Sequence, residues 1–265
     1  MTHVPRSAVR VPAAAALALF LTAGFLSGQN ASDGKPLVPD ADYPKVLDQQ
    51  VKVLQETMKL LGEAKDMTEK KKWGEKARCA AVLIAAAAQD NLKGPDAAQR
   101  AAVRDGALNV AALVKADKAA EAAKLADGLK TVKGDGKAKT ERVKLFEAHI
   151  DIQELMSQYK LAKAGGQGTE SALLKLATDK KKVVQPGAIT DHLLATAYVT
   201  ALTGELTGEY KPAKNAKDWQ ALAADMRKGG LEFAETLKAK DGKGAFNALN
   251  KMNTSCSVCH EKFRK

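Results

Sequence analysis

The fold class is decided by residues 217–240, which read KDWQALAADMRKGGLEFAETLKAK. Apolar or small residues recur there at intervals of three and four and form one stripe: Trp219, Leu222, Met226, Gly230, Phe233 and Leu237. This spacing predicts an amphipathic α-helix. Similar spacing recurs along the chain without alternation at every second residue, and aromatic residues make up only 5% of it. The sequence therefore predicts an all-α protein.

The stripe has a counterpart in a helix predicted at about residues 96–116. At an offset of 123 residues, the apolar positions of the two helices coincide in four pairs: Val103 with Met226, Ala107 with Gly230, Val110 with Phe233, and Val114 with Leu237. After a gap of one residue, Asp117 aligns with Asp241 and Leu125 with Leu249. We interpret this match as an internal duplication. The alternative is chance similarity between two Ala-rich helices.

The duplication divides the chain into two consecutive predicted domains that resemble four-helix bundles. The first domain covers residues 38–131, and its helices are predicted at about 40–64, 69–91, 96–116 and 118–131. A linker is predicted at residues 132–139. The second domain covers residues 140–265, and its helices are predicted at about 140–164, 168–183, 189–206, 216–240 and 243–264.

The last predicted helix carries the motif Cys256-Ser257-Val258-Cys259-His260. Cys-x-x-Cys-His is the attachment pattern of a c-type haem, in which the thiols form thioethers and the imidazole binds iron. On a helix, Cys256 and His260 share a face. The alternatives are a redox Cys-x-x-Cys, which belongs in a βαβ unit, and a zinc site, which needs four ligands. The motif therefore predicts one covalent haem c, with His260 as the iron ligand.

The C-terminal region resembles the cytochrome c′ family. The resemblance rests on Cys256, Cys259, His260, Phe263 and Arg264, together with a preceding helix led by Trp219. It implies a four-helix bundle that holds haem near one end, with His260 as the proximal ligand and Phe263 and Arg264 beside the haem. The aligned positions in the first repeat, Val132, Asp135 and Gly136, cannot bind haem. The predicted domain at 38–131 is therefore haem-free, an extra half that members of the family usually lack.

The distal side of the iron is predicted to face the helix at about 140–164. Its stripe contains Leu145, His149, Ile152, Met156 and Tyr159. Ile152 or Leu155 would form an apolar wall, whereas Met156 or His149 could ligate the iron, with core packing as the alternative for Met156. We also assign Phe233 to the haem site. A protein ligand on this side favours simple electron transfer, and an open side favours the binding or sensing of nitric oxide or carbon monoxide.

The N-terminus is typical of a secretory signal peptide, which we place at residues 1–31. Arg6 and Arg10 precede an apolar run from Val11 to Leu26, and a polar stretch follows. The alternative is an uncleaved membrane anchor, although the run is short for a span. We expect an exported, periplasmic protein without a membrane span in its mature part, which agrees with the export that haem attachment requires.

The net charge is +11 and the surface is predicted to be rich in lysine. Scattered lysines are typical of a solvated helical surface, and they would also steer acidic redox partners towards the protein. The sequence has no Arg-rich patch with interleaved aromatic residues, so we do not expect it to bind nucleic acid. No catalytic set of side chains is evident. We therefore expect an electron-transfer protein that cycles between Fe(III) and Fe(II), and not an enzyme.

Overall fold

The computed structural model describes residues 35–134, 139–164, 166–169, 171, 173 and 188–263 of the chain. The predicted signal peptide, Arg264 and most of the predicted helix at 168–183 lie outside these residues. The all-α prediction is confirmed, because the described residues contain helices and no strand beyond one isolated bridge between Phe146 and Ile150. No described helix combines the length and the apolar character that a membrane crossing requires.

Eight α-helices follow one another in the described residues: α1 (Tyr43–Gly62), α2 (Met67–Gln89), α3 (Ala97–Lys115), α4 (Ala119–Gly128), α5 (Ile152–Ser157), α6 (Ala188–Gly208), α7 (Ala216–Lys238) and α8 (Gly242–Phe263). Local signals explain several of their ends. The Asp66 side chain accepts a hydrogen bond from the Glu69 amide at 2.8 Å and caps α2. Pro212 and Asn215, whose φ is 57°, separate α6 from α7.

The helices of the first half pack in chain order, and α4 closes against α1. In the second half, α6 and α8 both pack against α7. Contacts of α6 with α1 and α2 join the two halves, and apolar side chains of both halves belong to one buried core. The buried Asp42 carboxylate adds a polar link, because it accepts hydrogen bonds from Tyr198 at 2.9 Å and Lys238 at 2.8 Å. The division into two separate bundles therefore stays a prediction.

The predicted duplication agrees with which positions are buried. The buried residues Val103, Val110 and Val114 of α3 correspond, at an offset of 123, to the buried residues Met226, Phe233 and Leu237 of α7. In the helices that follow, Ala122 and Ala126 of α4 correspond to Ala245 and Leu249 of α8, and all four residues are buried. The α3–α4 and α7–α8 hairpins therefore bury equivalent positions.

The turns between these helices correct the predicted alignment. Asp117 and Lys240 have positive φ angles of 58° and 55°, and each follows its helix at the equivalent place. In both turns the next amide closes the helix end with a 2.9 Å hydrogen bond, from Lys118 to the Leu113 carbonyl and from Asp241 to the Thr236 carbonyl. The offset is thus 123 throughout, and the one-residue gap predicted before Asp241 is wrong.

The two hairpins differ in the length of their second helix. The end of α4, Gly128, corresponds to Lys251, but α8 continues to Phe263. The additional turns of α8 carry the Cys-x-x-Cys-His motif. Without the gap, the positions equivalent to Cys256, Cys259 and His260 are Lys133, Gly136 and Lys137. These residues cannot hold haem either, so the corrected alignment leaves that conclusion unchanged.

The predicted helix at about 140–164 is wrong. Residues 139–160, which we call the strap, are mostly non-helical and contain only the six-residue helix α5. Glu147 has a φ of 62°, which interrupts any helix there. The strap is nevertheless buried through Leu145, Phe146, Ile150 and Leu155. Some of its backbone groups bind side chains of the first half, as in the hydrogen bond from the Arg104 guanidinium to the Lys139 carbonyl at 2.8 Å.

Helices α6 and α7 approach each other closely at Gly230. A Cβ atom at this position would lie 2.7 Å from the Ala197 carbonyl oxygen and 2.7 Å from the Ala201 amide nitrogen. Because these are backbone atoms, Gly230→Ala must push the helices apart, and we expect it to lower the free energy of unfolding by about 1–3 kcal/mol. Urea unfolding followed by circular dichroism measures this loss.

Gly62 is the matched control for Gly230. It is the last residue of α1, and a Cβ atom there would meet nothing within 4 Å. We expect Gly62→Ala to raise the free energy of unfolding by about 0.5–1 kcal/mol, since alanine loses less backbone entropy than glycine. Equal effects of the two substitutions would contradict the close approach of α6 and α7.

The Asp90 carboxylate ties the segment before α1 to the end of α2 and makes stability depend on pH. It accepts a hydrogen bond from the Val38 amide at 2.7 Å, and burial raises its pKa from 3.8 to about 6 despite this bond and the nearby charge of Arg142. Because burial favours the protonated carboxyl group, Asp90 contributes fully to stability below about pH 4, and this contribution is lost as the pH rises through 6 and the group ionises. As the pH rises from 4 to 7, the free energy of unfolding of Asp90→Asn should therefore rise by about 1–3 kcal/mol relative to that of the native chain.

Urea unfolding of both chains at pH 4, 5, 6 and 7 measures this difference. Comparing the two chains at each pH removes the contributions of other titrating groups, such as Asp42, whose hydrogen bonds from Lys238 and Tyr198 outweigh its burial and lower its pKa. A stability difference that is constant over this range would show that Asp90 is not the responsible carboxyl group.

Candidate haem-attachment site

The end of α8 presents the three residues of the motif on an unbroken helix. Cys256, Cys259 and His260 are all half-buried, and neither cysteine is in a disulfide. Because Cys256 and His260 are four residues apart, they lie on the same side of the helix, with Cys259 beside them. The two thiols and the imidazole are therefore partly accessible from one direction.

Aromatic rings hold this end of α8 in place. The Phe263 ring packs edge-on against Trp219 with centroids 5.0 Å apart, and Trp219 packs in the same way against Tyr210. Tyr210 in turn contacts Phe146 of the strap at 5.9 Å. The Trp219 indole donates a hydrogen bond to the Thr207 carbonyl at 2.8 Å, which fixes its orientation. Phe263 thus lies one helical turn after Cys259, and its packing on Trp219 holds the end of α8 against α7.

Polar contacts along α7 set the register of α8. The Ser255 hydroxyl, next to Cys256, donates to the Leu222 carbonyl at 3.0 Å, and the Lys262 ammonium pairs with the Asp218 carboxylate. Further along, Lys251 pairs with Glu232 at 2.8 Å. This antiparallel register fixes the position of Cys256 along the axis of α7.

The cysteines differ in their surroundings. Burial raises the pKa of the Cys259 thiol above its ordinary value, so the thiol is neutral at pH 7. Cys79 of α2 is fully buried, and burial raises its pKa to about 12. Its Sγ lies 3.9 Å from the Leu155 carbonyl oxygen of the strap. Cys79 is thus a buried core residue.

The strap reaches the motif through its turn after α5. Tyr159 lies close enough to Cys256 for the two groups to interact electrostatically. Met156, one turn earlier on α5, is half-buried, and Leu155 is fully buried against α2. Met156 therefore precedes by three residues the strap residue that interacts with Cys256.

The other predicted site residues lie elsewhere or outside the described residues. His149 is in a turn of the strap near Lys115 of α3, where burial and the Lys115 charge lower its pKa. Phe233 is fully buried on α7, and the α7–α8 register places it opposite about residue 248. That is eight residues before Cys256, or about 12 Å along the helix. The structure does not bring Phe233 to the cysteines, and Arg264 is not described.

Two buried polar atoms of the strap lack hydrogen-bond partners, which the sequence did not suggest. The side-chain Oε1 atom of Gln158 and the Tyr159 hydroxyl are buried and have no hydrogen-bond partner among the described residues. The amide of Gln158 donates to the Thr203 hydroxyl at 2.9 Å, so the pair faces α6. The stripe of the predicted helix included Tyr159, but only the path of the strap shows that its hydroxyl is left without a partner.

The chemistry of the donor set fits a covalently attached haem. Thioether bonds need two accessible thiols, and the iron needs one imidazole from the same helix. A protein-only metal cage needs more ligands, and the described residues contain no group of three His, Cys, Asp or Glu that could hold an ion. Comparisons with family models, curated proteins and solved structures find no match to this chain. The assignment therefore depends on the residues of α8 and the strap.

Proposed function

We propose that this chain is an exported monohaem c-type cytochrome, similar in type to cytochrome c′, and that it transfers electrons. The observation that carries this proposal is the half-buried set of Cys256, Cys259 and His260 on one continuous helix. Bound haem would supply the Fe(III)/Fe(II) couple. We propose no enzymatic step.

Each residue of the motif has a distinct role in this proposal. Cys256 and Cys259 would hold the haem through thioether bonds, and His260 would ligate its iron, which supplies the redox chemistry. The contact between Phe263 and Trp219 supports the helix end so that the imidazole is held in one orientation. The strap covers the adjacent side with Met156 as the candidate second ligand. Arg264 is proposed to lie beside the haem.

The rest of the chain is proposed to serve this site. Residues 1–31 would direct export, residues 38–131 would form a haem-free bundle, and residues 140–265 would form the haem-binding one. The positive charge of the chain would steer acidic redox partners towards it. Exposed ammonium groups near the motif, such as Lys262 and Lys251, support this view.

Binding or sensing of a small gas is the second candidate function. The buried Tyr159 hydroxyl favours it, because this hydroxyl has no hydrogen-bond partner among the described residues and would be free to donate to a diatomic ligand that the haem held within its reach. In that case Met156 would pack in the core and would leave the iron open. His149 is a weaker candidate for the distal ligand, since its described contacts are with α3.

The visible spectrum of the protein, produced with haem-attachment machinery, tests both candidates. We expect a red protein that carries the mass of one haem after denaturation. A six-coordinate low-spin iron that does not react with carbon monoxide or nitric oxide would support electron transfer. A five-coordinate high-spin iron that binds these gases would support the second candidate, and a colourless protein would contradict both.

A further inference from the structure

Three aromatic rings form a continuous series that begins at the end of α8. The Phe263 ring contacts Trp219 of α7 edge-on with centroids 5.0 Å apart, and Trp219 contacts Tyr210 in the same way, also at 5.0 Å. Tyr210 lies in the segment between α6 and α7. Because only 5% of the chain is aromatic, composition alone does not explain a contact between three rings from separate segments.

The series starts on the face of α8 that carries the cysteines of the motif and ends at the surface. Phe263 follows Cys259 by four residues and Cys256 by seven, so these three residues share one face of the helix. Trp219 is only 7% exposed, whereas Tyr210 is half-buried. A haem held by the two cysteines would share the face that carries Phe263, and Trp219 and Tyr210 would lead from that face to water.

Trp219 is also the better electron donor of the two tryptophans in the chain. Tryptophan and tyrosine give up an electron more readily than phenylalanine, and Trp219 contacts a tyrosine ring directly. The Trp73 ring instead lies under the ammonium groups of Lys72 and Lys76, whose Nζ atoms are 4.1 and 5.5 Å from the ring centroid. Removal of an electron from that ring would turn this attraction into repulsion, so the lysines oppose its oxidation.

Excess hydrogen peroxide destroys a haem whose surroundings supply no electrons. Building on the proposed function, we propose that Trp219 and Tyr210 protect the haem by supplying the electrons that peroxide takes. Each peroxide molecule becomes two waters and consumes two electrons and two protons. The first electron leaves the Tyr210 phenol by way of the Trp219 indole, and the second leaves Trp219 itself. Each residue also releases its O–H or N–H proton, so both become neutral radicals and the balance is closed.

The test adds hydrogen peroxide to the full-length ferric haem protein and to its Tyr210→Phe, Trp219→Phe and Trp73→Phe variants. Electron paramagnetic resonance of samples frozen after an equimolar addition detects protein radicals, and mass spectrometry of peptides locates oxidised side chains. The loss of haem absorbance under excess peroxide measures protection. Thermal unfolding reports whether each variant folds, and Tyr210→Phe keeps the ring that packs against Trp219. Trp73→Phe is the matched control.

We expect a tyrosyl radical in the native and Trp73→Phe proteins, and its loss in Tyr210→Phe. Oxygen adducts should form at Trp219 and not at Trp73. Colour should be lost several-fold faster in Tyr210→Phe and Trp219→Phe than in the control, because the electrons must then come from the haem itself.

Packing of α8 against α7 is the competing explanation, which assigns the rings a structural role alone. Colour loss in a folded Tyr210→Phe protein at the rate of the control would overturn the proposal, and so would a native protein that forms no tyrosyl radical. Faster colour loss in Trp219→Phe alone would also contradict a path that ends at Tyr210. Failure of the proposed function is distinct, because the native chain would then be colourless before peroxide is added.

Discussion

The double substitution Cys256→Ser and Cys259→Ser is expected to abolish covalent haem attachment. Serine preserves the size and helical context of both half-buried side chains but cannot form a thioether, so the protein should lose its colour and the added mass. The fold should persist, since neither cysteine belongs to the buried core that joins the helices. Haem-stained gels and mass spectrometry of the denatured protein measure the loss, which should reduce the haem signal to background.

The third cysteine provides the control for this experiment. Cys79→Ala removes a thiol that is 1% exposed and packs against the strap, so it should cost about 1 kcal/mol of stability and leave the colour intact. Each single substitution at Cys256 or Cys259 should leave one thioether and a smaller yield of red protein. A double variant that remained as red as the native chain would exclude attachment through the motif.

The sequence predicted the helices best where periodicity and helix breakers agree. The helix predicted at 216–240 is observed at 216–238, and the one predicted at 243–264 is observed at 242–263. In this part of the chain the apolar stripe coincides with the buried face, and Pro212 precedes the first helix. The motif could be placed on α8 for the same reason, because its helix is the direct continuation of a regular pattern.

The conformation of the strap could not be predicted, because its apolar residues are spaced as in a helix although most of the segment is not helical. Leu145, His149, Ile152 and Met156 are three to four residues apart in the manner of a helix, but tertiary contacts determine their conformation. Side chains of α2 and α3 occupy the backbone groups of the strap, as when Gln89 accepts from the Val143 amide at 3.1 Å. Such long-range hydrogen bonds leave no local pattern in the sequence.

The predicted duplication depends on apolar positions, and the alignment that the sequence suggests is wrong at the turn. The match of Asp117 to Asp241 suggested a gap, whereas the backbone shows that Asp117 and Lys240 occupy the same left-handed position. Identical residues were a weaker guide than conserved geometry, because aspartate and lysine can both occupy this position at a helix end. The unpartnered hydroxyl of Tyr159 was also beyond the sequence, since it depends on contacts between distant segments.

The second large effect is expected at Arg104, the residue that fixes the strap to α3. Its side chain is 1% exposed, and its guanidinium donates to the carbonyls of Lys139 and Glu141 at 2.8 and 2.5 Å and to the Asp105 carboxylate at 2.7 Å. Arg104→Met leaves both carbonyls without this partner. We expect a loss of about 2–4 kcal/mol in the free energy of unfolding and faster proteolysis within residues 139–160.

Arg227 supplies the control, because it lies at the position that the predicted duplication aligns with Arg104. Arg227 pairs with Glu205 at 3.0 Å, and its side chain is 19% exposed, compared with 1% for Arg104. Arg227→Met should therefore cost less stability than Arg104→Met and leave proteolysis of the strap unchanged. Urea unfolding and limited proteolysis measure both variants. Equal losses of unfolding free energy in the two variants would show that the hydrogen bonds of Arg104 to the strap do not account for its contribution to stability.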